Sequence, residues 1–530
     1  MGERYLLDCT LRDGGYLNDW EFGHDNILEI FERLVSAKLD VIEIGFLDDR
    51  REFDINRTIM PGTDCVEKIF KSVSKGNSMV VGMIDYGTCS INNIQPCEES
   101  YLDGIRVIFK KHVMHEAIAY CRQIKELGYK VFTQAVSITS YTYDEYLELI
   151  SLINDLEPYA ASMVDTYGLL HNNKLLNIYD IFNTNLKPSI KLGYHAHNNF
   201  QLGYSNCIEF LNLTSDRDIL VDGTLYGMGK SAGNAPLELL SMYMNENFAK
   251  TYDNNQILEA IDISIMPLST AARWGYNLFY YVAASHKCHP SYVSYLMNKH
   301  TLSIKSISEI LYMIDEEKKL MYDSKHVEAL YLKYQSNECN DVDDIKELTQ
   351  ALSGKSLLVF GPGRKIEDEK KNISIFLSNN RPVIMAINYI PKDYKVDYVF
   401  TTNSKRYSQM YSVLCQNRDI TVIATSNITK TNGRFDYELN YTRIIDSSSK
   451  IPDNSLIMLL KTFKEIGVKD IYLAGFDGYN ANTMNYFNTN MEYSNVREMA
   501  DYLNNYTKNF LIENKDDLNV TFVTSTEYER

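Results

Sequence analysis

Short apolar runs rich in β-forming residues recur through the first half of this 530-residue chain, and their regular spacing limits the folds open to it. Eight such runs start 25 to 38 residues apart, and stretches with helical apolar spacing separate most of them. Strands that alternate with helices form parallel βαβ units, and eight units in series close into a barrel. The alternative is a doubly wound open sheet, but the runs show no obvious switch point. The runs are Tyr5–Asp8, Val41–Gly45, Met79–Ile84, Gly104–Phe109, Lys130–Ala135, Ala161–Asp165, Lys191–His195 and Ile219–Asp222.

The pattern changes after residue 285. Residues 286–354 predict a helical extension that ends in a polar, acidic linker or solvated short helix. A second series of β-rich runs begins near residue 355, and its first run leads into Gly361-Pro362-Gly363. We therefore predict an α/β chain with a (β/α)₈ TIM barrel at 1–285, the helical segment at 286–354, and a Rossmann-like α/β domain of unknown role at 355–530. The later runs are Ser356–Phe360, Val383–Ile387, Asp397–Thr401, Ile420–Ala424, Asp470–Gly475 and Thr521–Thr524.

Charge and cysteine content narrow the function class. The chain has 53 basic and 70 acidic residues, a net charge of −17, which disfavours nucleic acids and anionic membranes as partners. Its nine cysteines are scattered and form no C-x-x-C pair, so a disulfide framework is not expected. The start lacks the apolar core of a signal peptide, and no apolar run has the length of a membrane span. These features predict a cytoplasmic protein that acts on small molecules.

Three polar motifs follow predicted barrel strands at the end where such barrels carry their chemistry. The sequence LLDCTLRDGG (6–15) follows the first strand, HAHNN (195–199) closes the seventh, and GMGKSAGNAPLE (227–238) follows the eighth. These strands are neighbours where a barrel closes, so the loops can converge. His195-x-His197 places both imidazoles on one side of a strand. With one carboxylate they would leave open positions on a divalent ion, as Lewis-acid catalysis requires; a surface pair is the alternative.

These motifs resemble the metallolyase superfamily that includes 3-hydroxy-3-methylglutaryl-CoA lyase, isopropylmalate synthase and 4-hydroxy-2-oxovalerate aldolase. The stretch from residue 197 to 238 most resembles the last. The resemblance implies that Asp13, His195 and His197 bind one divalent metal ion (Mn²⁺, Mg²⁺ or Co²⁺), with Asn234 as a candidate further ligand. It also implies that Arg12 holds the substrate keto group and the developing enolate oxygen, which agrees with the charge that a retro-aldol step creates.

Tyr16 marks a departure from the aldolase pattern, in which a histidine at this position serves as the base. A phenol has a reference pKa near 10, so Tyr16 is a poor base at neutral pH and is expected to donate a hydrogen bond. Asp19, Lys110 and His112 remain as alternative bases.

The stretch from residue 275 to 280 resembles the region in which the aldolases carry a tyrosine that orients the substrate. Tyr276 or Tyr280 would take that role, although packing is an equal alternative for both. Asp165 and Glu43 also face the predicted barrel mouth and are expected to orient the site through hydrogen bonds.

Three functions remain open. The first is a metal-dependent aldolase or lyase that joins or separates pyruvate and an aldehyde in a 4-hydroxy-2-oxo acid. The second is a Claisen-type synthase of the same superfamily that condenses an acyl-CoA with a 2-oxo acid. The third is an inactive barrel that supports a C-terminal nucleotide-sugar-binding domain, suggested by a distant resemblance of FGPGRKI and LAGFDG to bacterial sialyltransferase-like domains. The sequence leaves open whether the chain forms a homo-oligomer.

Overall fold

Eight parallel strands close into a barrel in the first part of the chain, because the first strand pairs with both the second and the last. A two-residue strand, β3, extends the barrel at the edge of β2. All eight predicted runs coincide with barrel strands to within a few residues, so the predicted TIM barrel is confirmed. The strands are β1 (Arg4–Asp8), β2 (Val41–Leu47), β3 (Ile59–Met60), β4 (Met79–Asp85), β5 (Gly104–Phe109), β6 (Lys130–Ala135), β7 (Ala160–Asp165), β8 (Lys191–Ala196) and β9 (Ile219–Gly223).

This computed structural model describes residues 2–271, 273–299, 302–429, 433–446, 449–488 and 494–529, and it divides into two compact units, Met1–Pro290 and Ser291–Arg530. The helices of the first unit are α1 (Thr10–Asp13), α2 (His24–Ser36), α3 (Thr63–Phe70), α4 (Met114–Glu126), α5 (Tyr143–Leu156), α6 (Asn172–Asn185), α7 (Gly203–Leu211), α8 (Leu237–Asn247), α9 (Asn254–Ala260), α10 (Met266–Ala271) and α11 (Leu278–Ser285).

The barrel interior is layered because side chains alternate along each strand. One layer is apolar and takes one residue from each of six strands: Leu7, Val41, Val81, Phe132, Ala160 and Leu220. The next inward positions along the chain, nearer the carboxyl ends of the strands, are polar and buried: Glu43, Arg106, Gln134, Ser162 and Asp222. Burying a charged group costs free energy unless the charge is paired. This polar layer therefore indicates a functional site at this end of the barrel.

The second unit contains a seven-stranded parallel sheet in the order β14-β13-β12-β11-β10-β15-β16. Its strands are β10 (Leu357–Phe360), β11 (Val383–Ile387), β12 (Tyr398–Thr401), β13 (Thr421–Thr425), β14 (Tyr437–Leu439), β15 (Asp470–Ala474) and β16 (Asn519–Phe522). A parallel α/β sheet is therefore present, while the narrower Rossmann-like assignment stays a prediction. The helices are α12 (Pro290–Asn298), α13 (Ile304–Tyr312), α14 (Ser324–Gln335), α15 (Val342–Leu352), α16 (Lys365–Asp368), α17 (Lys370–Asn379), α18 (Ser404–Gln416), α19 (Tyr441–Ile444), α20 (Ser455–Ile466), α21 (Ser494–Glu498) and α22 (Ala500–Glu513).

The acidic segment before β10 differs from its expected form. Helix α15 buries Leu348 and Leu352 completely in the core beside this sheet, and the preceding Asp341 accepts hydrogen bonds from the backbone of Asn440 and from Arg443. The segment is thus an integral amphipathic helix of the second unit. The three-part division at residues 285 and 354 stays a prediction. Within the described ranges, no helix combines the length and apolar character needed to cross a bilayer.

Candidate active site

Three side chains named from the sequence meet at the carboxyl ends of the barrel strands. Asp13 ends α1, directly after β1, while His195 lies in β8 and His197 just beyond it. Oδ2 of Asp13 lies 3.6 Å from Nε2 of His195 and 4.0 Å from Nε2 of His197. One ligand atom from each of the three lies within 4.8 Å of the others, and all three residues are buried. The strand period of two places the imidazoles side by side, as the sequence predicted.

Asn234 adjoins this group, because its backbone forms an isolated bridge with His197. Its Nδ2 donates to the carbonyl of Met228 at 3.2 Å, whereas its buried Oδ1 has no hydrogen-bond partner among the described residues. Buried amide oxygens are rarely left without a partner, so this atom is suited to meet a ligand. Gly229 makes the close approach feasible: an added Cβ would lie 2.1 Å from Nδ2 of Asn234 and 2.7 Å from Oδ1 of Asp13.

The protonation states of Asp13 and His197 favour cation binding. Burial pushes the pKa of Asp13 upward, but Arg12 and the two histidines outweigh it and hold the pKa well below its usual range. Burial lowers the pKa of His197 to about 4. Burial also lowers the pKa of His195, but its contacts with Asp13 and Asp222 outweigh this and raise the pKa overall. Asp13 is therefore ionised and His197 neutral at neutral pH, which are the forms that bind a metal.

A network of buried ion pairs contacts the candidate metal ligands. Arg12 donates Nε to Glu43 at 2.8 Å and contacts Asp13 through Nη1. Glu43 also pairs with Arg106 at 3.1 Å, and Arg106 contacts Asp222. Nδ1 of His195 lies 2.9 Å from Asp222, which leaves Nε2 directed at the metal-binding group. Such carboxylate–histidine contacts fix the tautomer and orientation of a ligand ring.

Arg106 and Asp222 were not given roles from the sequence, although a signal was present. Arg106 interrupts the otherwise apolar run of β5, and a charged residue at an inward strand position needs a buried partner. Glu43 was expected to support the site, and it does so by joining Arg12 to Arg106. Asp165, which was expected to do the same, instead accepts hydrogen bonds from the backbone of Leu169 and Leu170.

The donor set fits a divalent metal ion by three observations. It combines two imidazoles with one ionised carboxylate, it includes a buried amide oxygen without a partner, and it lies at the mouth of the barrel. A second cluster, Cys9 with His195 and Asp222, is a poorer candidate. Burial raises the pKa of the Cys9 thiol well above its usual value, and Asp222 is already paired with Arg106.

Tyr16 lies beside this centre in a turn after α1. Its ring makes edge contacts with Trp20 and Phe46, and Nζ of Lys230 lies 5.2 Å from the ring centre. The side chain is 41% exposed, yet desolvation of the hydroxyl raises the pKa of Tyr16 further above its ordinary value. The phenol therefore keeps its proton at neutral pH, and its role as a hydrogen-bond donor stays a prediction.

Two other residues that were named as a base or as an orienting group, Asp19 and Tyr276, are exposed. Asp19 is exposed and paired with Arg51 and Arg57, which lowers its pKa and weakens it as a base. Tyr276 is 61% exposed between α10 and α11, and no hydrogen bond or ring contact in the described residues joins it to Asp13 or the histidines. Its substrate-orienting role stays a prediction.

Comparison with known proteins places these residues in a wider group. Residues 3–263 match the family described as HMGL-like. The chain is similar to 4-hydroxy-2-oxovalerate aldolase 6 of Rhodococcus jostii, with 21% identity over 49% of this chain and 73% of the relative. It is also similar to oxaloacetate decarboxylase of Mycobacterium tuberculosis, with 23% identity over 45% of this chain and 69% of the relative. The solved N-terminal domain of a Bacteroides vulgatus protein superposes with a TM-score of 0.48 at 24% identity, covering 57% of this chain and 99% of that domain.

Proposed function

Because the barrel of this chain belongs to the HMGL-like family, we propose that it is a divalent-metal-dependent carbon–carbon lyase acting on a 4-hydroxy-2-oxo acid. The observation that carries the proposal is the buried group of Asp13, His195 and His197, with Arg12 in contact with it. Cleavage would release pyruvate and an aldehyde, and the reverse reaction would join them. The relatives named as aldolases support this choice of substrate class.

The chemistry requires stabilisation of negative charge. A proton leaves the 4-hydroxyl, the C3–C4 bond breaks, and its electron pair forms the enolate of pyruvate, which is then protonated at C3. Asp13, His195, His197 and the amide oxygen of Asn234 would hold the metal ion. When bound, such an ion supplies Lewis-acid stabilisation of charge on the 2-oxygen.

Arg12 supplies the second stabilising charge. Its Nε and Nη1 are engaged by Glu43 and Asp13, and its Nη2 has no hydrogen bond in the described parts of the chain. The guanidinium is thus fixed in orientation while one of its nitrogens remains available to a substrate oxygen. Fixed donors that face developing charge lower a barrier more than mobile ones, because they need no reorganisation during the reaction.

Decarboxylation of a 2-oxo diacid is a second candidate, favoured by the relative named oxaloacetate decarboxylase. Loss of carbon dioxide from such an acid also breaks the C3–C4 bond and leaves the same enolate. The Claisen-type synthase remains a separate hypothesis, and it requires an acyl-CoA. An inactive barrel remains the non-enzymatic hypothesis.

Deuterium exchange tests the step that the lyase reactions share. Pyruvate is incubated with the protein in D₂O and Mn²⁺, and deuterium in its methyl group is read by mass spectrometry. We expect exchange with the wild type and its loss in the Arg12→Ala variant and after metal removal. A parallel screen of pyruvate with assorted aldehydes then identifies the aldol product, and added oxaloacetate tests decarboxylation.

Two outcomes would contradict the proposal. Absence of both exchange and aldol product from metal-loaded protein would favour an inactive barrel. Release of CoA from acetyl-CoA only when a 2-oxo acid is present, without aldol product, would favour the synthase. The Arg418→Met variant, which alters an exposed arginine in the second unit, is the matched control for Arg12→Ala.

A further inference from the structure

The second unit has a cavity of about 1050 Å³ that the barrel chemistry does not explain. It is lined by residues that follow the carboxyl ends of four strands: Gly363 after β10, Asn388 after β11, Asn403 after β12 and Asp477 after β15. From β10, the strands β11 to β14 follow in order towards one edge of the sheet, and β15 and β16 follow towards the other edge. The cavity therefore lies at the point where the order reverses, which is where ligands bind in open parallel sheets. Its volume is slightly above the usual range of about 300 to 1,000 Å³ for small-molecule sites.

The glycine turn after β10 does not form the phosphate cradle that its sequence suggests. The N–H groups of Gly361 and Gly363 donate to the carbonyls of Ala474 and Gly475, both at 2.8 Å. Oδ2 of Asp477 accepts from the N–H of Lys365 at 2.9 Å, so a carboxylate occupies the position that a phosphate would take. An added Cβ at Gly363 would lie 2.5 Å from Oδ1 of the same carboxylate. Glycine is thus required for the close approach of two loops.

Asp477 lines the cavity, and one of its two carboxylate oxygens is buried without a partner among the described residues. Its Oδ1 has no hydrogen-bond partner in the described parts of the chain, and burial raises the pKa of the carboxyl to about 6. An ionised carboxylate accepts hydrogen bonds only, so it is complementary to hydroxyl groups of a ligand. Nearby, Asn388 adopts a left-handed backbone conformation, with φ of 58°, and donates to Ser455 at 2.8 Å. This contact fixes the polar wall between β11 and α20 before any ligand arrives.

Arg406 supplies a cation on another wall. It lies in the first turn of the 13-residue helix α18, is 5% exposed, and donates Nη1 to Gln409 at 3.1 Å. A planar guanidinium held by a neighbour is well suited to recognise phosphate. Tyrosines form the remaining wall, with Tyr441 and Tyr528 buried and the rings of Tyr479 and Tyr486 6.5 Å apart. Aromatic faces of this kind stack on flat heterocycles.

We propose that this cavity binds a nucleoside phosphate, with the phosphate on Arg406, the ribose hydroxyls on Asp477 and the base on the tyrosine wall. Arg406, Asp477 and the tyrosine wall line one cavity. A nucleotide carries a group that is complementary to each of them, namely a phosphate, ribose hydroxyls and a base. The residues that line the cavity do not include the metal-binding group of the barrel, so the proposal can be tested whether or not the lyase proposal holds.

The test is equilibrium binding to the full chain, measured by calorimetry with AMP, GMP, CMP and UMP. We expect at least one to bind, and to bind at least about tenfold more tightly than ribose 5-phosphate or inorganic phosphate. Its 2′-deoxy form should bind about tenfold more weakly to the wild type but equally to Asp477→Asn. Arg406→Met should weaken binding at least about tenfold, whereas Arg418→Met and Asp419→Asn, at exposed positions, should not. Unchanged binding by His195→Ala would confirm independence from the barrel centre.

Several results would overturn the proposal. One is dissociation constants above about 1 mM for all four nucleotides. A second is equal affinity for ribose 5-phosphate and the best nucleotide, since this would remove the base from the site. A third is an unchanged preference for ribose over deoxyribose in a folded Asp477→Asn variant. The comparison of ribose with deoxyribose on the wild type needs no variant, so it decides the question even if Asp477→Asn does not fold.

Discussion

The proposed roles of Tyr16 and Arg12 can be distinguished by single substitutions. The pKa of the Tyr16 phenol is raised above the ordinary value, so we expect Tyr16 to donate a hydrogen bond rather than accept a proton. Tyr16→Phe keeps the ring contacts with Trp20 and Phe46 and should lower kcat/KM by roughly tenfold, since one hydrogen bond is lost. Arg12→Ala should cost more, because it removes a charge from the developing enolate. Steady-state kinetics with the substrate found by the screen measures both.

The size of the loss distinguishes a donor from a base. General bases contribute about 10² to 10⁴ to a rate. A loss beyond about a thousandfold in Tyr16→Phe, with metal content unchanged, would therefore make Tyr16 the base. Tyr143→Phe is the matched control, since Tyr143 is 59% exposed on α5.

Asp165 predicts a pH dependence of stability. Burial raises its pKa to about 6, even though two backbone N–H groups bond to its carboxylate. The folded pKa lies above the unfolded value of 3.8, so the folded state retains a proton that the unfolded state releases. The stability that this group contributes is complete below pH 4 and is lost as the pH rises through about 6. Relative to Asp165→Asn, the wild type should lose up to about 3 kcal/mol over this window.

Thermal unfolding of both metal-free proteins between about pH 4 and pH 7.5 measures this effect. The melting temperature of the wild type should fall relative to that of Asp165→Asn as the pH rises. A difference that does not vary with pH would show that Asp165 is ionised throughout. Asp144→Asn, at an exposed position of α5, should show no such trend.

Secondary-structure elements could be predicted from the sequence where their apolar pattern extends over several residues. The eight barrel strands are apolar runs of five to seven residues, and each was located from sequence. Strands β3 and β14 have two and three residues and carry too little pattern to detect. Helix α15 was obscured by its acidic residues, although Leu348 and Leu352 are four positions apart on its buried face. Arg106 carried a signal as a charged residue within an apolar strand, but its pairing with Asp222 joins positions 116 residues apart and could not be predicted from one sequence.

The loop after β9 is the element whose shape the site most depends on. At Gly229, a methyl group would collide with Asn234 and approach Asp13 to 2.7 Å. Gly229→Ala should therefore weaken metal binding by at least about tenfold and reduce activity in parallel, because ligand orientation is disturbed. Metal titration and kinetics on the folded variant measure this.

Gly87→Ala is the control for that substitution. Nothing lies within 4 Å of an added Cβ at Gly87, although its φ of 93° makes the change strained. We expect lower stability with unchanged metal affinity in Gly87→Ala. If Gly229→Ala retains wild-type metal affinity, the loop does not position the ligands.

Each of the two units has its own core. The main barrel cluster draws on residues from Leu6 to Ile265, and two clusters of the second unit draw on residues from Leu348 to Leu518. A chain that ends at Pro290 should therefore fold, bind metal and retain exchange activity. A chain that ends at Lys355 should be less soluble, because it keeps α15 without the sheet that covers Leu348 and Leu352. Expression, circular dichroism and metal analysis compare the two.

The opposite result would change the assignment of residues 291–355 to the second unit. If the chain ending at Pro290 is insoluble while the chain ending at Lys355 is folded, residues 291–355 belong with the barrel. Composition alone favoured treating this stretch as a separate extension. Its burial in the second unit depends on distant residues such as Arg443, which pairs with Asp341.

Metal content shows whether Asp13, His195 and His197 hold a divalent ion, as we propose. Wild-type protein loaded with Mn²⁺ and freed of excess should carry about one ion per chain by elemental mass spectrometry. His195→Ala and His197→Ala should lose that ion and the deuterium exchange of pyruvate together, with circular dichroism unchanged. His115→Ala, at an exposed histidine of α4, should retain both. Full metal occupancy in both folded variants would show that the two histidines do not hold the ion.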